Sequence, residues 1–273
     1  MSNYQPTPAR LTYMSGAEPR LIQGKRRIGV LLVHGFVGTP AEIQPLTDAV
    51  AAEGFTTLSL RLSGHGTHVR DMQYTRWTDW VMDVDDGLNI LSCLCDEIIL
   101  CGFSMGGTLC LITAARHPQI KAVITIESPL RMQQEWMITP LQLLSLILPV
   151  INPLPFIKHL LPKSKKQEIT QMITASIGYH QFATRGFAEI LKLLRYSRRQ
   201  VASIIAPALL IHSKLDDVVD FANVNLIAES ISSTSIQTMY LENSRHNVIL
   251  GPEASQVIQT VISFLHQCEE GET

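Results

Sequence analysis

The chain has 273 residues, of which 46% are hydrophobic and 17% are charged, and its formal net charge is −2. These values exclude an intrinsically disordered chain and allow one large domain with a sizeable core. The longest apolar run, residues 141–151, is interrupted by Gln142 and Ser145 and is too short to span a bilayer, and the N-terminal residues lack an apolar stretch of signal-peptide length. Five cysteines, an odd number, argue against a disulfide framework. We therefore expect a cytoplasmic protein.

Strand-like and helix-like segments alternate along the chain. Apolar runs typical of buried strands lie at residues 27–33, 56–62, 97–103, 121–127, 207–213 and 236–241. A helix start is predicted at Thr39–Glu42, with Thr39 as the cap and Pro40 in the first position, and amphipathic helices are predicted at residues 78–94 and 257–265. Four aspartates are expected on the solvated face of the 78–94 helix: Asp79, Asp83, Asp85 and Asp86. This alternation predicts an α/β protein with a mostly parallel central sheet and helices on both of its faces.

The alternation fails between residues 128 and 206, where no clear strand is visible. We predict that residues 129–206 form a helical cap inserted into a core domain made of residues 1–128 and 207–273. From Arg131 to Arg199 this segment carries ten Lys or Arg and three Glu. Solvated helix faces are the preferred explanation, and weak contact with a membrane surface is the alternative. Because no nucleic-acid pattern accompanies these charges, no nucleic-acid partner is expected.

One strand-to-helix transition has the pattern G-x-S-x-G. The strand ending at Phe103 is followed by Ser104 and then by a helical apolar run, with Gly102 and Gly106 on either side of the serine. Glycine at these positions removes the Cβ atoms that would clash in a sharp strand-to-helix turn, and the serine is held with its hydroxyl exposed. This context predicts that Ser104 is a nucleophile.

A serine hydroxyl needs a base and a group that orients the base, and both are found after later strands. Asp216 and Asp217 follow the strand at 207–213, and His246 follows the strand at 236–241. Reactive groups of an open α/β sheet gather at the carboxyl ends of its strands, so these residues are expected near Ser104. Asp216 is the preferred acid and Asp217 the alternative.

The loop after the first strong strand, residues 34–39, is expected to complete the site. The N–H groups of Phe36 and Met105 are the predicted donors of an oxyanion hole. His34 comes too early in the chain to be the base and is expected to hold this loop by a hydrogen bond.

The segments LLVHGFVGTP, GFSMGG, HSKLDD and SRHNVI resemble the α/β-hydrolase superfamily, and more narrowly bacterial carboxylesterases and monoacylglycerol lipases with a small helical cap. RLSGHGTH, residues 61–68, is similar to a Gly-His-Gly turn of that group. The resemblance covers residues 27–128 and 204–268, and it reaches the cap only in length, position and helical character. It implies the α/β-hydrolase fold, a triad of Ser104, Asp216 and His246, and Phe36 and Met105 as oxyanion donors. It departs at Arg245, where these enzymes often have glycine.

The predicted activity is hydrolysis of carboxylic esters through an acyl-enzyme, with a small acyl ester or a monoacylglycerol as substrate and with no metal or organic cofactor. His34, Gly35, Leu144 and Ile147 are the residues expected at the substrate, the last two from an apolar run that either lines the acyl site or packs as plain core. Ser104 argues against epoxide hydrolases and dehalogenases, which need aspartate there. The alternatives are a carbon–carbon bond hydrolase, a cofactor-free haloperoxidase-like enzyme and a catalytically silent binding protein. The sequence makes no prediction of oligomeric state.

Overall fold

The computed structural model describes residues 13–132, 136, 138–147, 150–151, 178–179 and 182–271. Its centre is a seven-stranded sheet in the order β1-β3-β2-β4-β5-β8-β9. Only β1 runs antiparallel to its neighbour, and every other pairing in this sheet is parallel. The strands of this sheet are β1 (Arg20–Ile22), β2 (Ile28–Val33), β3 (Thr56–Leu60), β4 (Glu97–Phe103), β5 (Ala122–Ile126), β8 (Ala208–Ser213) and β9 (Ile236–Leu241). The predicted mostly parallel α/β sheet is therefore confirmed.

Helices cover both faces of the sheet, as expected for a parallel sheet whose strands are buried on both sides. The helices are α1 (Gln44–Ala52), α2 (Trp77–Ser92), α3 (Met105–Arg116), α4 (Ile138–Ile147), α5 (Thr184–Gln200), α6 (Ala222–Ser230) and α7 (Ala254–Glu270). Leu31 and Val33 of β2 pack in one apolar cluster with α2, α3, α5 and α6. Val30 and Leu32 pack in a second cluster with α1 and α7 on the opposite face.

The predicted insertion contains one feature that the sequence analysis missed. Strands β6 (Val150–Ile151) and β7 (Phe182–Ala183) pair antiparallel in a separate two-stranded sheet. The expectation that this segment has no strands was wrong, because two-residue strands carry too little periodicity to be read from sequence.

The last helix of the predicted insertion packs against the main sheet domain. Ile190, Leu193 and Leu194 of α5 are buried in the same apolar cluster as α2 and α3. Helix α4 packs on α5 through a smaller cluster that includes Ile138 and Leu191. The division into a core domain and a cap of residues 129–206 stays a prediction, and among the described residues of that segment α5 contributes buried side chains to the core.

The aspartates of α2 are not simply solvated, as the sequence analysis expected. The carboxylate of Asp83 accepts hydrogen bonds from the Ser63 backbone N–H at 2.6 Å and from the Ser63 hydroxyl at 2.9 Å. Asp85 accepts from Arg116 at 2.7 Å. The expectation failed at these positions because both partners lie in other elements of the fold.

Because β2 to β5, β8 and β9 are parallel, their carboxyl ends meet at one edge of the sheet. The loops that follow them begin at residues 34, 61, 104, 127, 214 and 242. Ser104, Glu127, Asp216 and His246 all come from these loops. Within the described ranges, no helix combines the length and the apolar character that a membrane crossing requires.

Candidate active site

Ser104 stands on a strained turn between β4 and α3. Its backbone angles are φ 53° and ψ −123°, a combination that non-glycine residues adopt only where the surrounding structure enforces it. The Ser104 N–H donates to the Ile126 carbonyl of the neighbouring strand at 2.8 Å, and the Ser104 carbonyl accepts from the Gly107 N–H at 3.0 Å. These bonds fix the turn from both sides, and the side chain remains partly exposed.

The glycines around Ser104 are required by close backbone contacts. A Cβ atom on Gly102 would lie 2.3 Å from the carbonyl carbon of Gly106, and one on Gly106 would lie 2.1 Å from the Val33 carbonyl oxygen. Both distances are far below any real contact, and the obstacles are backbone atoms that have no freedom to move away. The G-x-S-x-G pattern is thus explained by two close approaches, that of β4 to the first turn of α3 at Gly102 and that of α3 to the end of β2 at Gly106.

His246 joins the serine to a carboxylate. Its Nε2 atom lies 3.0 Å from the Ser104 Oγ atom, and its Nδ1 atom lies 2.7 Å from Oδ2 of Asp216. Since an ionised carboxylate can only accept, Nδ1 carries the proton and Nε2 is free to accept the serine hydroxyl proton. The Phe103 ring packs on the imidazole with the ring centroids 5.2 Å apart. A hydroxyl, an imidazole and a carboxylate in this series can activate the serine as a nucleophile.

The side chain of Asp216 is buried and held in its ionised form. Its Oδ1 atom accepts hydrogen bonds from the N–H groups of Val218 at 2.8 Å and Val219 at 3.0 Å. Burial by itself would raise the pKa of this carboxyl, but the hydrogen bond and charge of His246, together with the bond from Val219, bring its pKa well below the usual range. Asp217, the alternative acid, has its side chain turned to Arg245 instead.

The loop after β2 lies against Ser104. A Cβ atom on Gly35 would lie 3.2 Å from the Cβ atom of Ser104, so Gly35 is adjacent to the nucleophile. Phe36 packs edge-to-face on Trp80 and His65. Met105 is the first residue of α3, and the N–H groups of a first helical turn have no acceptor within their own helix. Met105 thus directly follows the serine, Phe36 directly follows Gly35, and the oxyanion role of their N–H groups stays a proposal.

His34 ties this loop to the next one. Its Nε2 atom accepts from the Leu62 N–H at 3.2 Å, and its Nδ1 atom donates to the Gly35 carbonyl at 2.8 Å. Burial lowers the pKa of His34 to about 4, so the ring is neutral near pH 7. The side chain is fully buried and both ring nitrogens are bonded within the protein, which fits the expected loop-holding role, and contact of His34 with a substrate stays a prediction.

A second buried carboxyl group lies behind the same loop. Oε2 of Glu42 accepts from the Gly35 N–H at 3.2 Å, and the side chain is almost fully buried. Burial raises the pKa of Glu42 to about 7, although the Gly35 hydrogen bond and the charge of His246 oppose the shift. A group adjoining the serine loop thus changes its charge close to neutral pH.

The apolar run of the predicted cap is only partly buried. Leu144 of α4 is half-buried, whereas Leu143 and Leu146 are 62% and 81% exposed. Ile147 ends α4, and its side chain lies outside the described residues. Contact of Leu144 and Ile147 with a substrate stays a prediction.

Two acidic residues of the site were not singled out from the sequence. Glu127 follows β5 directly, so the strand-end reasoning that identified Asp216 could have found it; Glu42 was noted only as part of a helix start.

Among the described residues, the group of side chains that could together hold a metal ion is Glu127, Asp216 and His246, whose ligand atoms lie within 4.8 Å of one another. The His246 nitrogen on that side is already bonded to Asp216.

Comparison with known proteins places this chain among hydrolases. Residues 24–253 match the model of a family described as serine aminopeptidase, S33. A thermostable monoacylglycerol lipase of Bacillus sp. strain H-257 is 32% identical over 92% of this chain and 95% of its own length. A carboxylesterase of Bacillus subtilis strain 168 is 24% identical over 88% of this chain and 93% of its own.

Solved structures of similar fold point the same way. One, from work on the metagenome-derived lipolytic enzymes LipS and LipT, superposes with a TM-score of 0.79 and 25% identity over 94% of this chain and 100% of its own. A monoacylglycerol lipase of Paleococcus ferrophilus has a TM-score of 0.75 over 92% of this chain and 98% of its own; at 16% identity it supports the fold alone.

Proposed function

The chain belongs to the α/β-hydrolase family described as serine aminopeptidase, S33, and we propose on this basis that it hydrolyses carboxylic esters through an acyl-enzyme on Ser104. The observation that supports this most directly is the bonded series from Ser104 Oγ to His246 Nε2 at 3.0 Å and from His246 Nδ1 to Asp216 Oδ2 at 2.7 Å. The similarity to a monoacylglycerol lipase and a carboxylesterase supports an ester as the substrate.

Acylation begins when Ser104 Oγ attacks the ester carbonyl carbon while His246 Nε2 takes the hydroxyl proton. Asp216 stabilises the imidazolium that forms, because its buried, ionised carboxylate accepts a hydrogen bond from the Nδ1–H group. The N–H groups of Phe36 and Met105 donate to the carbonyl oxygen as it becomes negative. His246 then gives its proton to the leaving alcohol, and the acyl group stays on Ser104.

Deacylation repeats these steps with water in place of the serine. His246 takes a proton from a water molecule, the resulting hydroxide attacks the acyl carbon, and the carboxylic acid leaves as Ser104 regains its proton. Each step uses groups of the chain and water. The proposed substrate is a monoacylglycerol or another small acyl ester, in line with the 32% identical relative.

Covalent labelling and a substrate panel test this proposal together. We expect a fluorophosphonate probe to label the wild-type protein and to leave Ser104→Ala unlabelled, because only the deprotonated serine attacks the probe. The panel consists of p-nitrophenyl esters, a 1-monoacylglycerol and an aminoacyl p-nitroanilide, the last included because the family description names an aminopeptidase. We expect ester turnover to fall by several powers of ten in Ser104→Ala, leaving only roughly 10³–10⁴-fold catalysis over water.

Three results would contradict the proposal. A wild-type protein that is folded but neither labelled nor active would favour the silent-binder alternative. Near-normal ester turnover in Ser104→Ala would remove the serine from the mechanism. Preference for the p-nitroanilide over every ester would make the enzyme a peptidase.

A further inference from the structure

The carboxyl group of Glu127 lies beside Asp216, and the mechanism above makes no use of it. Glu127 directly follows β5, its side chain is fully buried, and its backbone φ is 51°, a value that is costly for a residue with a side chain. The Glu127 N–H donates to the Ile211 carbonyl at 2.9 Å, and Oε1 of Glu127 accepts from the Ser213 N–H at 2.7 Å. The residue thus links β5 to β8, the strand that leads to Asp216.

The second carboxyl oxygen of Glu127, Oε2, is a buried atom without a donor among the described residues. Within the part of the chain that the structure describes, no hydrogen-bond donor reaches Oε2 of Glu127 in suitable geometry, although the atom is fully buried. Nε2 of His212 lies 3.3 Å from it, but this nitrogen is directed to the Val219 carbonyl, also at 3.3 Å. A neutral imidazole has one N–H, and that proton is already engaged.

The charges around Glu127 explain why a buried carboxyl oxygen without a donor is tolerated at this position. The titratable groups that face it are Asp216, His246 and, from β8, His212, with Asp220 beyond His212. Burial lowers the pKa of His212, so this ring brings no positive charge near neutral pH. Burial first, and then the hydrogen bond and negative charge of Asp216, raise the pKa of Glu127 far above its usual value. If Glu127 were ionised beside the ionised Asp216, its buried charge would be compensated by the Ser213 N–H but by no donor to Oε2 among the described residues.

We propose that Glu127 is a neutral carboxylic acid in the working protein and that it positions the ionised Asp216 by donating its Oε2 proton to that carboxylate. Once Oε2 carries a proton, the orphaned oxygen gains a partner, and Oε1 keeps its bond from Ser213. Asp216 is then held by Val218, Val219 and His246 on one side and by Glu127 on the other. Glu127 touches no reacting atom and acts through Asp216; the inference rests on the proposed function of Asp216.

Two replacements of similar length separate this role from plain packing. Glutamine in Glu127→Gln can repeat both bonds, because its amide nitrogen donates to Asp216 while its oxygen accepts from Ser213. Methionine in Glu127→Met fills similar space without either bond. A proton-donating role therefore predicts that the glutamine variant behaves like the wild type and that the methionine variant does not.

Infrared spectroscopy tests the protonation state without any assay of activity. At about pH 9, exposed carboxyls and Glu42 are ionised, so we expect the wild type to keep one carboxylic-acid C=O band that shifts in D₂O. The band should be absent in Glu127→Gln and present in Glu42→Gln. A wild-type spectrum without this band would overturn the proposal, even if the protein proved to be an active esterase. Conversely, the band should be present even if the protein proves not to hydrolyse esters. The protonation of Glu127 and the ester-hydrolase function are therefore tested separately.

The pH profile of ester hydrolysis tests the positioning. We expect Glu127→Gln to keep kcat within about threefold of the wild type and Glu127→Met to lose at least about tenfold in kcat with little change in KM. The acid limb of kcat/KM should move to higher pH in Glu127→Met, because the negative charge of Asp216 is no longer shared with a donor at position 127. The positioning role would be refuted by an equal loss of kcat in both variants. It would also be refuted by an unchanged acid limb of kcat/KM in Glu127→Met. If Glu127→Met fails to fold, the band and profile of Glu127→Gln decide.

Discussion

Arg245 and Asp217 form an ion pair with their nearest nitrogen and oxygen 2.8 Å apart, and this pair holds the second of two consecutive aspartates away from His246. Both side chains are substantially exposed, with 48% and 37% of their surfaces accessible. Arg245 occupies the position where related enzymes often have glycine. Its positive charge next to the histidine is therefore balanced locally by a residue that sequence alone left as a candidate for the catalytic acid.

The first prediction distinguishes the two aspartates. Asp216→Asn should lower kcat for ester hydrolysis by roughly 10⁴-fold, because the amide no longer stabilises the correct tautomer and the charged form of His246. Asp217→Asn should cost less than about fivefold, since an exposed ion pair contributes little. Steady-state kinetics of both variants check this. If Asp217→Asn is the damaging change, the acid has been assigned to the wrong neighbour.

The second prediction concerns the packing of the serine turn. Gly106→Ala should destabilise the fold by at least about 3 kcal/mol, because the new Cβ would meet the Val33 carbonyl, which is part of the sheet. Gly271→Ala is a suitable control: this glycine has a positive φ, but an added Cβ atom would have no neighbour within 4 Å, so its cost should stay near about 1 kcal/mol. Urea unfolding of both variants measures the difference, and equal costs would show that the turn relaxes.

The third prediction follows from the buried carboxyl of Glu42. Its pKa is raised from 4.5 to about 7 in the folded protein. Between these values the unfolded chain is ionised while the folded protein keeps the proton, so the free energy of unfolding falls as the pH rises. Relative to Glu42→Gln, the wild type should lose on the order of 3 kcal/mol from about pH 4.5 to about pH 7.5.

His34 also contributes to the pH dependence of the free energy of unfolding, with the opposite sign because burial lowers its pKa. Because His34 is present in both proteins, its contribution cancels when the wild type is compared with Glu42→Gln. Glu229→Gln, at an exposed position, should leave the pH dependence of the wild type unchanged. Denaturant unfolding across this pH range provides the data. A constant difference between the wild type and Glu42→Gln would mean that Glu42 ionises in the folded protein as it does in the unfolded chain.

The fourth prediction tests whether α4 lines the acyl site. If it does, catalytic efficiency should rise from acetyl to medium-chain esters, because each buried methylene is favourable by about 0.8 kcal/mol. Leu144→Trp and Ile147→Trp should then shift the optimum to shorter chains. Leu146→Trp is the matched control on the same helix, since that side chain is 81% exposed. A flat chain-length profile that none of these changes alters would leave α4 a structural cover only.

The order and placement of the site residues could be predicted because they depend on strong local patterns. The strands before Ser104 and Asp216 contain continuous apolar runs, the strand before His246 is a shorter apolar pattern interrupted by Gln237 and Thr238, and a parallel sheet gathers the residues that follow them. Glu127 was missed because one acid at a strand end looks like any turn residue, and its significance depends on contacts with Ser213 and Asp216 from distant parts of the chain. For the same reason, the partner of Asp83 at Ser63 lay beyond sequence reasoning.

Strands β5 and β8 pair directly in the sheet, although residues 129–206, the predicted cap, separate them in the sequence. Val123 pairs with Ala208 and Ile126 with Ile211, and the side-chain oxygen of Asn223 accepts from the N–H groups of Leu130 and Arg131 at 2.8 Å, where the chain leaves the sheet. Both ends of the interval are thus anchored in the scaffold. An exchange of the intervening chain would therefore have to keep α5, whose Ile190, Leu193 and Leu194 belong to the core, if Ser104 and His246 are to keep their alignment.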